Sequence, residues 1–132
     1  MTAVCVVDTS ALVAYLLDEP GADVVGEWLD RGAAVSALNL QELVSKIVRD
    51  GGTVEVAAAT LEDLALDAEH DLTSDLALVA GAMITHTRPH GLSHGDRACL
   101  ALARHLDIPA VTGDRDWSKI ADAIGVQVEL IR

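Results

Sequence analysis

Ser93-His94-Gly95-Asp96-Arg97-Ala98-Cys99-Leu100-Ala101-Leu102-Ala103-Arg104-His105-Leu106, continuing through Asp107 to Ile108-Pro109-Ala110-Val111-Thr112-Gly113-Asp114, is the stretch that decides how this chain folds. Ser93 followed three residues later by Asp96 has the form of a capping box, so a helix is predicted from His94 to about Leu106. Residues 108–112 are a short apolar run closed by Gly113-Asp114, the pattern of a buried strand. A helix feeding directly into an apolar strand is one unit of an alternating α/β chain.

Working outward, the same alternation recurs. Residues 3–7 (AVCVV) form a β-branched run ended by Asp8-Thr9-Ser10, which can cap a following helix. That helix carries Leu12, Val13, Leu16 and Leu17 and stops at Pro20-Gly21. A second, over about 22–30, holds Val25, Trp28 and Leu29. Residues 33–38 (AAVSAL) read as a buried strand, after which Asn39 is expected to cap a helix running to Asp50 and ended by Gly51-Gly52. Thr53 to about Glu69 is predicted as one long amphipathic helix, with His70–Thr73 a short strand or a connection. Ser74 or Asp75 then opens a helix to about Thr87, broken by Arg88-Pro89-His90-Gly91. A short helix over 116–124 and a strand over 126–131 complete the chain. Uniformly apolar strands separated by helices imply a parallel sheet covered on both faces. The predicted fold is a three-layer α/β/α sandwich forming one domain over residues 1–132.

The composition agrees with a packed domain. Of 132 residues, 51% are hydrophobic, and the mean hydropathy is +0.33. So rich a chain is expected to cover leftover apolar surface with a partner, by dimerisation or by a tightly held protein. No apolar run approaches the roughly 18 residues of a membrane span. The first residues have no basic region and Asp8 interrupts their apolar stretch, so no signal peptide is expected and the cytoplasm is the predicted compartment. Cys5 and Cys99 sit in apolar company without metal or redox spacing and are expected to be buried free thiols. The net charge of −12 opposes nucleic-acid binding by itself, because phosphate affinity comes from Lys and Arg. That objection weakens if carboxylates gather at one place around a divalent cation. The same acidity suits a basic protein partner.

Sites in parallel sheets form beyond the C-terminal ends of the strands. Asp8 closes the first strand, Glu42 follows the second, Asp96 lies in the first turn after Ser93, and Asp114 closes the strand at 108–112. Asp116 is a fifth acid nearby. Each has a plain structural explanation. Asp8 can be a helix cap, Glu42 and Asp96 the acids of capping boxes, and Asp114 and Asp116 turn residues. Four carboxylates brought within about 5 Å of one another would repel by about 3 kcal/mol per pair at an effective dielectric near 20. A cation must then neutralise them, or some must take up protons. Oxygen-only ligands favour Mg²⁺ or Mn²⁺, and two such ions can clamp an in-line phosphoryl displacement.

Four segments carry a resemblance. VCVVDTSALVAYLLDEP (4–20), SALNLQELVSK (36–46), LSHGDRACLALARHLDIPAVTGDRDW (92–117) and VQVELIR (126–132) resemble, in order, the motifs of PIN-domain VapC toxins. The likeness is weakest over 53–87. It implies a PIN-like sandwich and a metal-dependent endoribonuclease that hydrolyses structured RNA, often tRNA or rRNA, to 5′-phosphate and 3′-hydroxyl ends. By position, it implies Asp8, Glu42, Asp96 and Asp114 as the catalytic and metal-holding acids. Asp116 would serve a second ion or its waters, and Thr112 would orient a ligand. It further implies Mg²⁺ or Mn²⁺ as cofactor, a cognate VapB-type antitoxin as inhibitor, and a homodimer within a larger toxin–antitoxin complex.

Arg97 and Arg115, flanking these acids, are candidate contacts to the RNA backbone, with Lys46, Arg49 and Lys119 behind them; local charge balancing is the competing role. His86, His90 and His94 recur every four residues, but Pro89 and Gly91 prevent them from sharing one helix face, which removes the zinc reading. Trp28 is expected beside a groove of the early helices and Trp117 over the end of the sheet. Two rivals remain. A phosphotransfer domain of the dehalogenase type needs an acid where Ser10 stands, and a receiver needs paired acids ahead of Asp8. The other is an inactive PIN-like module that binds RNA or protein without cutting.

Overall fold

In the computed structural model, which describes residues 2–132, short strands alternate with helices along the whole chain; Met1, included in the expected domain, lies outside the described residues. The strands are β1 (Cys5–Val7), β2 (Ala33–Ser36), β3 (Ala68–His70), β4 (Ala110–Thr112) and β5 (Val128–Leu130). They pair in the order β3-β2-β1-β4-β5, and every neighbouring pair is parallel. Val6 stands opposite Ala34 on one side and Ala110 on the other.

Alternation along these strands divides the core in two. Val6, Ala34 and Ala110 face one layer, with Cys99, Leu100 and Leu102 of α7 (His94–Leu106) and Trp117, Ile120 and Ile124 of α8 (Trp117–Ile124). Ala80 of α5 (Ser74–Ala82) and Met83, just before α6 (Ile84–Thr87), belong to the same layer. Cys5, Val7, Ala33, Val35 and Val111 face the other. There they meet α1 (Thr9–Leu16), α2 (Ala22–Arg31) and α3 (Ala37–Arg49), with Leu64 beyond the end of α4 (Val54–Asp63). Residues i and i+2 of a strand share a face, so apolar residues at consecutive positions supply both layers at once. The expected three-layer sandwich with a central parallel sheet is the one observed. Both cysteines are buried and free, one in each layer. Among the described residues no helix is long and apolar enough to cross a membrane.

Four local expectations are corrected. Ser36, not Asn39, caps α3: its Oγ accepts from Leu38 N at 3.3 Å, so the strand stops at Ser36 and Asn39 lies inside the helix. The helix opened by Thr53 ends at Asp63 instead of near Glu69. Ala65 takes a left-handed conformation (φ 51°), Leu64 plugs the core, and residues 68–70 become edge strand β3. Thr73, rather than Ser74 or Asp75, caps α5, and the helix expected to reach Thr87 breaks at Met83 into α5 and α6, followed by a 3-10 turn at Arg88–His90. Trp117 is completely buried in the core and does not merely cover the sheet end. Trp28 is half-buried, with the Arg31 guanidinium 4.5 Å above its ring.

Candidate active site

The chain builds the sheet from β1 outward through β2 and β3, then returns to place β4 and β5 on the other side of β1. The connections diverge between β1 and β4, and in parallel sheets a crevice opens beyond the strand ends at such a point. Asp8 leaves β1 there and Asp114 leaves β4.

Asp8 is only 2% exposed. Its Oδ1 accepts from Ala11 N at 2.8 Å, so it does cap α1. Thr112 Oγ1 donates to its Oδ2 at 2.6 Å, and Ser10 Oγ lies 2.8 and 2.9 Å from the two oxygens. Ser10 Oγ in turn accepts from Gly113 N at 2.9 Å, and Thr112 Oγ1 from Asp114 N at 3.0 Å. These bonds sew the end of β1 to the end of β4. Burial pushes the Asp8 carboxyl up to about 6 against the opposing pull of its hydrogen bonds, and the charge of Asp96 adds to the rise.

Glu42 reaches the crevice from α3. Its Oε1 accepts from Thr9 Oγ1 at 2.6 Å and from Asn39 Nδ2 at 2.9 Å. Asn39, fully buried, also donates to Gly95 O at 3.1 Å, joining α3 to the start of α7. A Cβ on Gly95 would collide with the Glu42 carboxylate, so any larger residue at this position must displace that carboxylate. Asp96 completes the capping box seen in the sequence: Ser93 Oγ accepts from Asp96 N at 3.2 Å, and Asp96 Oδ2 from Ser93 N at 2.9 Å. Burial raises its carboxyl, and the charges of Glu42 and Asp114 raise it further.

Asp8, Glu42, Asp96 and Asp114 therefore lie in one electrostatic neighbourhood. Capping and clustering, set against each other in the sequence, coexist in Asp8 and Asp96. The cluster is looser than a finished cage: among the described residues no three acidic, histidine or cysteine side chains stand close enough to hold a metal ion as they are. Hydroxyl and amide partners hold Asp8 and Glu42 individually. Asp116 is held differently. Its Oδ1 meets Lys119 Nζ at 2.9 Å, and that bond keeps its carboxyl below the ordinary range.

The basic candidates divide. Lys46 and Arg49 pair with Asp50, and Lys119 with Asp116, so these three balance local charge. Arg115 is exposed with no carboxylate partner among the described residues. Arg97 is 8% exposed; its Nη2 lies 3.0 Å from His94 Nδ1, in a groove that includes Leu38, Leu72 and Ile84. Sequence reasoning passed over Thr9 and Ser10 except as caps, and misread Asn39. The hydroxyls of D-T-S beside a strand-end acid were the available signal.

Residues 5–123 match the sequence profile of the family described as PIN domain. The chain belongs to the PIN-domain family. No curated protein sequence matches it significantly. Among solved structures, this PIN domain is similar to VapBC-5 from Mycobacterium tuberculosis, a member of the VapBC family of toxin–antitoxin systems. Identity is 26%, coverage 99% of both chains and TM-score 0.62. It is similar to VapC20 of the same organism, a sarcin–ricin loop cleaving toxin, at 20% identity, covering 87% of this chain and 93% of that one with a TM-score of 0.69. A toxin–antitoxin complex from Klebsiella pneumoniae matches at 17% identity over 97% and 98% of the two chains, with a TM-score of 0.75.

Proposed function

We propose that this PIN domain is a metal-dependent endoribonuclease toxin, with Asp8, Glu42, Asp96 and Asp114 as its catalytic acids. One observation carries the reading: Asp96 is within electrostatic reach of Asp8, Glu42 and Asp114, and none of the four is paired with Lys or Arg among the described residues. A buried anion without a counter-charge is costly, and Asp8 registers that cost in its raised pKa. The donor set is oxygen only, which suits Mg²⁺ or Mn²⁺. Such an ion, when bound, would neutralise the carboxylates and stabilise charge growing on a scissile phosphate.

The chain's own residues supply the rest. Ser10 and Thr112 fix Asp8 from two sides. Glu42 or Asp114 takes the proton of an attacking water, and the exposed Arg115 steadies the RNA backbone, whereas Arg97, buried against His94, is not placed to do so. Asp116, tied to Lys119, is a reserve ligand at most. That the solved relatives include a sarcin–ricin loop cleaving toxin and toxin–antitoxin complexes supports structured RNA as substrate and a VapB-type antitoxin as inhibitor. An apolar groove of about 330 Å³, with Val13, Leu16, Leu17, Leu43 and Ile47 in its wall, runs along the two helices that carry Thr9 and Glu42. It suits an apolar antitoxin segment whose cationic residue could reach the acids.

The experiment is cleavage of a sarcin–ricin loop hairpin and of total tRNA with Mg²⁺ or Mn²⁺, with and without chelator. Asp8→Asn and Asp96→Asn should abolish cutting. Wild-type rates in both variants, or cleavage indifferent to chelator, reject the proposal. RNA binding with no cutting under any of these conditions would favour the inactive PIN-like module.

A further inference from the structure

We infer that Asn39 is a positioning residue: its side-chain amide holds the Glu42 carboxylate over the backbone of Gly95, with one oxygen committed and the other left free to take a cation. The inference rests on the proposed cation-holding role of the acids. Glu42 Oε1 takes the bonds from Thr9 Oγ1 and Asn39 Nδ2, while Oε2 has no partner among the described residues. Asn39 Nδ2 also lies 3.2 Å from Thr9 Oγ1, so the three groups close a triangle linking α1 to α3. Its contact with Gly95 O fastens α7, the helix of Asp96, to the same point.

The orientation of the amide is not arbitrary. The Glu42 carboxylate and the Gly95 carbonyl only accept hydrogen bonds, so the NH₂ group must face them. Asn39 Oδ1 is then left buried without a partner. For packing alone, an apolar residue of similar volume would be preferable, since an unsatisfied buried acceptor is a standing cost. What the position gains from asparagine is its pair of donors, and they are aimed at Glu42 and Gly95. Gly95 fits the same arrangement, because a side chain there would occupy the space of the carboxylate.

The test uses Mn²⁺ alone as probe, titrated calorimetrically into the metal-free full-length chain. Removing groups that orient metal ligands typically weakens affinity about 10- to 100-fold. Asn39→Leu should show such a loss while its melting midpoint stays at or above that of wild type. Thr9→Val should also weaken Mn²⁺ binding and Thr9→Ser should restore it; this pair decides the matter if Asn39→Leu fails to fold. In a Glu42→Gln background, Asn39→Leu should add less than about twofold, since coupled residues are not additive. Wild-type affinity in Asn39→Leu, an equal loss with and without Glu42, or no difference between Thr9→Val and Thr9→Ser overturns the inference. Asp96→Asn separates the two levels. If it binds Mn²⁺ as wild type does, or wild type binds none, the cation reading falls and this one with it; if Asp96→Asn loses binding and Asn39→Leu does not, only the positioning role falls.

Discussion

Thr112 Oγ1 donates a 2.6 Å hydrogen bond to Asp8 Oδ2 across 104 residues of sequence, and that bond closes the crevice between β1 and β4. Hydrogen bonds to charged groups contribute roughly 1.5–3 kcal/mol. Thr112→Val, which keeps the shape and loses the donor, should cost about that much in urea unfolding at pH 7. The loss should shrink near pH 5, where Asp8 is largely neutral. Unchanged stability at pH 7 would contradict the role given to Thr112.

The same carboxyl sets a pH dependence whose sign is unusual for an aspartate. Its folded pKa is raised from 3.8 to about 6, so the folded chain holds a proton that the unfolded chain has released. Stability in the absence of divalent cation therefore falls as pH rises from about 4 to 6 and levels off above, by at most roughly 3 kcal/mol from this group. Asp8→Asn keeps a cap for α1 and removes the titration. The variant should gain stability over wild type as pH rises through this window. A stability difference that is flat with pH, or that runs the other way, removes the basis for the effect.

Gly95→Ala separates helix propensity from site geometry. Alanine in a helix is favoured over glycine by about 1 kcal/mol. Here the added methyl meets the Glu42 carboxylate and must displace it. Circular dichroism should show the helices intact while RNA cleavage falls sharply. Full activity in Gly95→Ala would mean that Glu42 is not needed where the structure has it.

Much of this arrangement was legible in the sequence, and the failures have physical causes. The capping box of Ser93 and Asp96 and the apolar run ending at Thr112 fixed α7 and β4 because each signal is local. The end of α4 was hidden. No glycine or proline marks it, Ala65 adopts a left-handed turn without one, and β3 is an edge strand whose A-E-H sequence lacks the apolar run that betrays a buried strand. At α3, Ser36 and Asn39 are both good caps three residues apart, and the apolar Ala37-Leu38 between them made the strand look longer than it is. Within the site, the acids could be found from strand ends. Asn39 could not, since Thr9 and Gly95 lie on other elements and only tertiary packing brings them to it, whereas Thr9 and Ser10 left a partial signal in their hydroxyls beside Asp8.

The central claim is that the strand-end acids jointly hold a divalent ion, and anomalous diffraction from crystals soaked in Mn²⁺ tests it most directly. The account predicts a peak within about 2.5 Å of oxygens from Asp8 and Asp96, with Glu42 and Asp114 drawn toward the ion or its waters. A well-ordered crevice with no anomalous peak at saturating Mn²⁺, or a peak only at surface carboxylates elsewhere, would contradict it.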